Sequence, residues 1–357
     1  MIYFVTLLII LLLSVTMKST RRKQFLIITA VILILLSGLR STYVGADSWN
    51  YYHLFRVTAD GAKTSLYAKS PLFHYLMLVI SKLFGSSTVT YFTFTSAMVV
   101  VPIWAAIYIE EINCKSAVIL FYLLFFQSSL NGTRTYIAIA FTLFGYVLFR
   151  KKELKYKFGA AISFIIAFSI HRIAIIGLLI LFISMIKLEI KRNRRIVITL
   201  IIIMTLSLNF FIRMFTIFFD AYSNTLETVT DTVGASAVVL QAIMIISLVQ
   251  TYYLIRIHKD RQMTINQGNF DNLSIILFSE VMLFIACGRT WYGNRILGFL
   301  EIFIILVFPI INNVSNKYSQ IYRMLIYTIA MFLFAYGTIR NLNAIMPYEF
   351  FWQSRFV

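Results

Sequence analysis

The sequence predicts an all-α integral membrane protein, a polytopic helical bundle of about 12 transmembrane helices with one additional short helix. Hydrophobic residues make up 60% of the 357 positions and charged residues only 13%, about half the share in a soluble domain. Apolar blocks recur along the whole length, and short basic clusters separate them. Because no hydrophilic segment is long enough to fold alone, we expect residues 1–357 to form a single polytopic membrane domain.

Four basic clusters predict the topology. They cover residues 18–23, 150–157, 187–195 and 256–261. Loops rich in lysine and arginine stay in the cytoplasm, so we assign all four clusters to that side. They also account for most of the net charge of +18, which therefore does not indicate a nucleic-acid partner.

The apolar blocks are the predicted helices. They fall at 2–17, 23–39, 72–84, 88–109, 117–131, 134–149, 158–170, 173–186, 196–212, 236–257, 273–287, 296–312 and 319–338. The first block has no basic residues before it and no small-residue cleavage site after it. We therefore interpret it as a transmembrane helix and not as a signal peptide.

One of the predicted helices cannot cross the membrane. Five blocks lie between Lys23 and Arg150, whereas two cytoplasmic clusters require an even number of crossings. The weakest is 72–84, because its 13 residues rise about 20 Å against a hydrocarbon core of about 30 Å. We interpret it as a re-entrant or interfacial helix that starts after Pro71. Both termini are then outside, with a large external region at 40–87 and a second external loop at 213–235.

Cationic residues collect at the predicted external ends of the helices, where the positive-inside rule disfavours them. They are Arg40, Arg56, Arg134, His171, Arg172, Arg213, Arg289, Arg295 and Arg340. The guanidinium group is a rigid fork of donors that matches phosphate and carboxylate, so the set predicts an anionic ligand. For each arginine alone, the alternative is an anchor among lipid headgroups.

Arg134 begins a predicted helix, and small residues follow it on one face at Ala138, Thr142 and Gly145. Small residues at this spacing let a second helix approach closely. We therefore expect Arg134 to cap a tightly packed stripe, to avoid lipid and to need a partner.

The stretch "LRSTYVGADSWNYYHLF" opens the external region with Arg40, Asp47, Trp49, Tyr51 and Tyr52. Asp47 is either the N-cap of a short helix or a general base, and the two roles are compatible. The aromatic rings suit a site that is wet at one end and apolar at the other, including the faces of sugars.

The stretch "CGRTWYGNRILGFLE" is predicted to join two helices outside, and its glycines, arginines and aromatics favour a binding surface. Arg289, Trp291, Tyr292 and Arg295 are its candidate ligand contacts. Glu280 lies mid-membrane in the preceding helix, and burying such a residue costs about 2.5–3.5 kcal/mol. It therefore pairs with an arginine or faces a wet cavity.

His171 and Arg172 form a tight external turn in "FSIHRIAII". A single histidine is more often a hydrogen-bonded structural residue than a catalyst. The four histidines are scattered without ligand spacing, so we expect no metal site, and nothing in the sequence indicates a cofactor.

Taken in order, these segments resemble the EpsG/Wzy-like family of bacterial polysaccharide polymerases. "LRSTYVGADSWNYY" resembles the family pattern LRYGVGTDYxxYY, "SLNGTRTYIAIAF" resembles SLNGIRQALAI, and "FSIHRIAII" is similar to FHxSALI. "KSPLFHYLMLVISKLFG" is similar to EPGFxxLxxLxxxxG, although Lys69 stands where the family usually has glutamate. Arg295 and Tyr348 correspond to later motifs.

The resemblance implies a GT-C-like glycosyltransferase at the outer face of the bacterial cytoplasmic (inner) membrane. It would join oligosaccharide repeat units carried on undecaprenyl pyrophosphate into O-antigen, capsule or exopolysaccharide. The implied partners are that lipid-linked oligosaccharide, membrane lipids, and a chain-length regulator and a flippase of the same pathway. No nucleic acid is implied.

From these observations we assign roles as expectations. Arg134, Arg289 and Arg295 hold the pyrophosphate, and Asp47 accepts a proton, with Glu280 as the second candidate. His171 and Arg40 orient these groups, while Trp49, Tyr51, Tyr52, Arg172, Trp291, Tyr292 and Tyr348 contact the substrate. The alternative is a lipid-linked oligosaccharide flippase or transporter, which would show polar residues at midplane on several helices. A membrane acyltransferase is disfavoured, because the sequence has no suitable His-Asp pair.

Overall fold

Long apolar segments fold as helices because a helix satisfies its backbone N–H and C=O groups within one segment. The computed structural model describes residues 1–64, 67, 70–185, 273, 275–281, 284, 291–312 and 317–353. Over these residues the secondary structure is helical, and one isolated bridge between Arg40 and Phe350 is the β-type contact. The predicted all-α class is confirmed for this part of the chain.

The helices are labelled in chain order. They are α1 (Ile2–Thr16), α2 (Arg22–Gly38), α3 (Ser48–Ala59), α4 (Pro71–Phe84), α5 (Thr88–Ile109), α6 (Cys114–Ser129), α7 (Thr133–Arg150), α8 (Leu154–Ile170), α9 (Ile176–Met185), α10 (Trp291–Glu301), α11 (Ile304–Asn312) and α12 (Lys317–Ile339). Short 3₁₀ turns occupy Ser19–Arg21, Arg172–Ile175 and Phe351–Gln353. Residues 275–281 are also helical.

Two of the described helices, Thr88–Ile109 and Gln320–Ile339, are long and apolar enough to cross a bilayer by length and composition. Four shorter apolar helices accompany them, at Ile2–Thr16, Pro71–Phe84, Cys114–Ser129 and Arg172–Phe182. The predicted total of 12 crossings and the orientation of the termini stay predictions. So does the re-entrant or interfacial position of α4, which starts at Pro71, one residue before the predicted start.

The chain divides into two compact units, one of Met1–Leu178 with Ala330–Val357 and one of Leu179–Ile329. In the first unit α5 packs antiparallel against α2, and the indole N–H of Trp104 donates to Thr29 Oγ1 at 2.9 Å. α7 packs on α5 and on α8. Gly145 makes the second contact close, since a Cβ there would lie 3.0 Å from the Phe164 ring. The predicted small-residue stripe of α7 is therefore a helix contact.

One end of the first unit carries the basic segments 17–22 and 150–157 and the turn 108–115, and we call it the basic end. Arg150 Nη1 lies 2.9 Å from Glu110 Oε1, and Arg22 Nη2 donates to the carbonyl of Ile112 at 3.3 Å. The two predicted cytoplasmic clusters at 18–23 and 150–157 thus share one end, as the parity argument requires.

Two expectations for 288–312 are wrong. The predicted loop ends at Trp291, where α10 begins, so Tyr292 and Arg295 are helical residues. The predicted helix over 296–312 is interrupted by a turn at Ile302 and Phe303, between α10 and α11. Backbone N–H groups of Phe303 and Ile305 donate three residues back, which tightens the chain at this break.

Candidate functional site

Three distant segments meet at the opposite end of the first unit, which we call the tail end. They are the loop 39–47 after α2, the turn 130–133 before α7, and the chain 341–351 after α12. Backbone N–H groups of Ser41 and Gly45 donate to Glu349 and Ala344, at 2.8 and 2.7 Å. Asn131 Nδ2 donates to the Asn343 carbonyl at 2.7 Å. The segment after the last helix is therefore built into the loop that carries Arg40.

Gly45 allows this junction. Its φ of +108° lies in a region that side chains rarely adopt. A Cβ at this position would stand 2.5 Å from Ser48 Oγ and 2.8 Å from Asn131 Oδ1. The glycine of the opening motif is thus required by both conformation and space.

Arg40 is the most unusual residue of the tail end. Only 1% of its surface is exposed, and its guanidinium lies over the ring of Phe92 at 4.2 Å. Nε and Nη1 have no hydrogen-bond partner among the described residues, and the groups that act on its charge are the phenols of Tyr3, Tyr91 and Tyr348. A buried ion costs several kcal/mol even after relaxation, so this position needs a compensating reason.

Burial lowers the pKa of Arg40 to about 10, which leaves the side chain cationic at neutral pH. Tyr348 is its neighbour from the tail, and burial raises the pKa of that phenol to about 12 although Arg40 acts in the opposite direction. The Tyr348 hydroxyl donates to the Leu36 carbonyl at 2.6 Å. The neighbouring tyrosine is therefore neutral, and the positive charge remains.

Arg134 is the second cation, and it is half-buried at the start of α7. Its Nη1 donates to Ser70 Oγ at 2.8 Å, and its Nε makes a long hydrogen bond of 3.4 Å to the Tyr51 hydroxyl. The guanidinium also lies 5.5 Å from the Tyr51 ring. The partners that Arg134 was expected to need are thus hydroxyl groups. These groups are neutral and do not neutralise its positive charge.

Tyr91 connects the two arginines. It is 1% exposed in the first turn of α5, and the charges of both Arg40 and Arg134 act on its hydroxyl. The hydroxyls of Tyr51 and Thr133 lie beside it. Within the described residues, the group thus combines two cations with hydroxyl groups and includes no carboxylate.

Asp47 stands at the N-cap position of α3, as predicted, but its side chain makes no capping hydrogen bond. The side chain is exposed. The cap interpretation is therefore right about the helix start and wrong about the carboxylate, which is available for another role.

The neighbouring aromatics have separate contacts. Trp49 is 50% exposed and stacks on Tyr43, with ring centroids 6.2 Å apart. The Tyr52 hydroxyl donates to the Ser86 carbonyl at 3.3 Å. Of the predicted sugar-contacting residues in α3, Tyr51 faces the arginines and Trp49 faces solvent or substrate.

His171 is buried, and its Nδ1 accepts from the backbone N–H of Ile173 at 3.3 Å, at the junction of α8 with the following 3₁₀ turn. That contact is the structural role expected of a single histidine. Arg172 is exposed in the same turn. Their contributions to a reaction stay predictions.

The second unit holds the remaining candidates. Glu280 is fully buried, and its charge acts on the carboxyl of Glu301 in α10, so the two acids are neighbours. Arg295 is half-buried in α10. Arg289 and the side chains of Trp291 and Tyr292 lie outside the described residues, as do the predicted loop 213–235 and the predicted helices at 196–212 and 236–257.

Tyr91, Ser70 and the contacts of the tail were not predicted from the sequence. For Tyr91 one signal existed, because it is a tyrosine in the external first turn of one of the two longest predicted helices. Ser70 immediately precedes Pro71, after which the short helix was predicted to start. The tail residues Asn343 and Ala344 contribute backbone carbonyls, which no side-chain pattern marks.

Fold and site together define a helical membrane protein with an uncompensated pair of arginines at one end of its first unit. The family model described as "EpsG family" matches residues 23–350, so the chain belongs to the EpsG family. This membership associates it with polysaccharide biosynthesis and, in general terms, with a polymerase-like function, and it confirms the resemblance seen in the motifs. No curated protein and no solved structure matches the chain significantly.

Proposed function

We propose that the protein is a polysaccharide polymerase. It would join oligosaccharide repeat units carried on undecaprenyl pyrophosphate, at the outer face of the cytoplasmic membrane. The observation that carries this proposal is the pair Arg40 and Arg134, two neighbouring cations without a described carboxylate partner. A diphosphate is the anion that such a pair suits.

In the proposed reaction, a hydroxyl oxygen of the acceptor sugar attacks the anomeric carbon of the donor sugar. A new C–O bond forms, and the bond from that carbon to the diphosphate oxygen breaks. The electron pair leaves with undecaprenyl pyrophosphate, and the hydroxyl proton passes to a carboxylate. Fixed cations stabilise the charge on the leaving group, and removing one such contact typically costs about 10²–10³ in rate.

Roles follow from the contacts. Arg134 binds the diphosphate, and the roles expected of Arg289 and Arg295 stay predictions from the sequence. Asp47 is the proposed base because its carboxylate is exposed and makes no cap bond, and Glu280 is the second candidate. Trp49 and Tyr51 contact sugar through ring faces.

The arginine role is tested with Arg134→Met in cells that lack their own copy of the gene. We expect polymerisation to fall by about 10²–10³ at unchanged protein abundance, measured as the length distribution of surface polysaccharide and by immunoblot. Arg22→Met is the matched control, because Arg22 binds a backbone carbonyl at the basic end. Long-chain polymer at normal yield from the Arg134 variant would remove this residue from the mechanism.

A flippase is the alternative function, since it also needs a cationic site for a lipid-linked substrate. Purified protein in detergent separates the two classes, because micelles have no second compartment. A polymerase elongates lipid-linked repeat units there, whereas a transporter returns them unchanged. The test uses repeat units that membranes of the same cells polymerise. If the purified wild-type protein does not elongate these repeat units, the polymerase proposal fails.

A further inference from the structure

The charge of Arg40 has no carboxylate partner among the described residues, but its buried side chain cannot contact a ligand directly. The side chain is 1% exposed, and its Nε and Nη1 atoms are buried without a hydrogen-bond partner among the described residues. Arg134 is half-buried and is the more accessible of the two. The charge of Arg40 therefore acts on a ligand bound at Arg134 through the groups that lie between the two side chains.

Tyr91 is the residue between them. Its ring is fixed by Phe55 and Phe92, with centroid distances of 5.3 and 5.2 Å, and Phe92 is also the ring beneath Arg40. Its hydroxyl is within electrostatic range of both guanidinium groups. Packing thus holds the phenol ring in place, and its buried hydroxyl has no hydrogen-bond partner among the described residues.

We propose that Tyr91 is a positioning residue of a single anion site, connecting the buried charge of Arg40 to the ligand face at Arg134. The ligand is a group with two adjacent phosphates, an identity that rests on the proposed function. Arg40 supplies positive potential from behind, and Tyr91 orients its hydroxyl dipole and Arg134 towards the anion. A preorganised dipole of this kind needs no rearrangement when the charge arrives.

The arrangement links anion binding to stability. A ligand that binds only the folded state stabilises it by RT ln(1 + L/Kd), where L is the free ligand concentration, so the unfolding temperature rises with ligand concentration. Arg40 lacks a described carboxylate, so its positive charge opposes folding until an anion is bound. Removing that charge should therefore leave the empty protein as stable as before or more stable, while it removes the response to the anion.

The experiment measures thermal unfolding of the purified full-length protein in detergent, titrated with inorganic pyrophosphate or inorganic phosphate at constant ionic strength. For wild type we expect the unfolding temperature to rise with anion concentration, and the rise to begin at a lower concentration of pyrophosphate than of phosphate. Tyr91→Phe should need about tenfold more pyrophosphate, because the hydroxyl dipole that acts with both arginines on the anion is lost. Its ligand-free unfolding temperature reports any loss of packing separately.

Tyr146→Phe is the matched control. Tyr146 is a fully buried tyrosine whose ring lies 5.4 Å from a guanidinium, that of Arg150, but it belongs to the basic end. Its variant should titrate with pyrophosphate as wild type does. Arg40→Met should show an equal or higher ligand-free unfolding temperature and no pyrophosphate response.

The proposal would be overturned if Tyr91→Phe responded to pyrophosphate at the same concentrations as wild type. It would equally be overturned if Arg40→Met showed the full rise in unfolding temperature. An unfolding temperature of wild type that is insensitive to pyrophosphate would also overturn it, and would leave the polymerase function intact if the same protein elongates repeats. Conversely, a pyrophosphate response that depends on Tyr91, in a protein that does not elongate repeats, supports the site and refutes the polymerase.

Discussion

Two arginines with buried side chains lie against aromatic rings at opposite ends of the first unit. Only one of the two charges has a described carboxylate partner. Arg150 pairs with Glu110 at 2.9 Å, and both side chains are 7% exposed. Arg40 is 1% exposed, stacks on Phe92, and has phenols as its described neighbours. The first charge is neutralised inside the protein. The second has no carboxylate partner among the residues that the structure describes.

The other cations of the basic end follow the pattern of Arg150. Arg22 binds the Ile112 carbonyl, and Lys115 Nζ donates to the carbonyl of Met17, at the end of α1, at 2.5 Å. Carbonyls at helix C-termini carry partial negative charge and favour such cations. The three cations named here at the basic end thus have a carboxylate or carbonyl partner, which suits a structural role, whereas the tail end is open to an anion.

The largest effect on stability is expected at the basic end. Arg150→Met leaves Glu110 buried without its partner, so we expect a loss of about 3–5 kcal/mol and reduced abundance in the membrane. The measurement is the thermal unfolding of purified protein beside an immunoblot of membranes. Adding Glu110→Met to the variant should recover most of the loss, because no lone charge remains. If Arg150→Met unfolded at the wild-type temperature, the contrast between the two ends would be contradicted.

A smaller loss is expected from Gly45→Ala, which tests how tightly the tail end is assembled. The positive φ and the contact at 2.5 Å from Ser48 Oγ together should cost about 1–3 kcal/mol. Gly61→Ala is the control, since Gly61 also has a positive φ but nothing lies within 4 Å of its added Cβ. Equal unfolding temperatures for the two variants would show that the junction around Gly45 is loose.

Asp47→Asn should change stability least, within about 0.5 kcal/mol, because the side chain is exposed and makes no capping bond. If Asp47 is the base, the same variant loses polymerisation. Chain-length analysis beside thermal unfolding distinguishes the two roles. A clear drop in unfolding temperature would restore the cap interpretation, and normal polymer would exclude the catalytic one.

Hydropathy was sufficient for most helix boundaries. The predicted block 88–109 coincides with α5, and the blocks 2–17, 23–39 and 134–149 agree with α1, α2 and α7 to within one residue at each end. The π turn at Tyr122–Phe126 and the break at Ile302 and Phe303 were missed. The first lies in continuously apolar sequence and the second directly follows Glu301 inside a predicted apolar block, and in neither place does a change of hydrogen-bond register alter the composition.

The site was only half predictable for a related reason. Charge bias identified Arg40 and Arg134, and the aromatic cluster identified Tyr51, because each is unusual for its predicted location. Tyr91 and Ser70 are ordinary residues in ordinary positions, and only the packing of α5, α4 and α7 brings them to the arginines. Backbone carbonyls from the tail carry no side-chain signal at all.

The hydrogen bond from Tyr348 to Leu36 spans 312 positions. During biosynthesis the loop around Arg40 therefore leaves the ribosome long before its tail partners exist. The tail end closes only after α12 has been inserted, so an incompletely translated chain carries the arginines without the geometry that makes them a site. Order of synthesis thus delays the appearance of an anion-binding centre until the whole bundle is in the membrane.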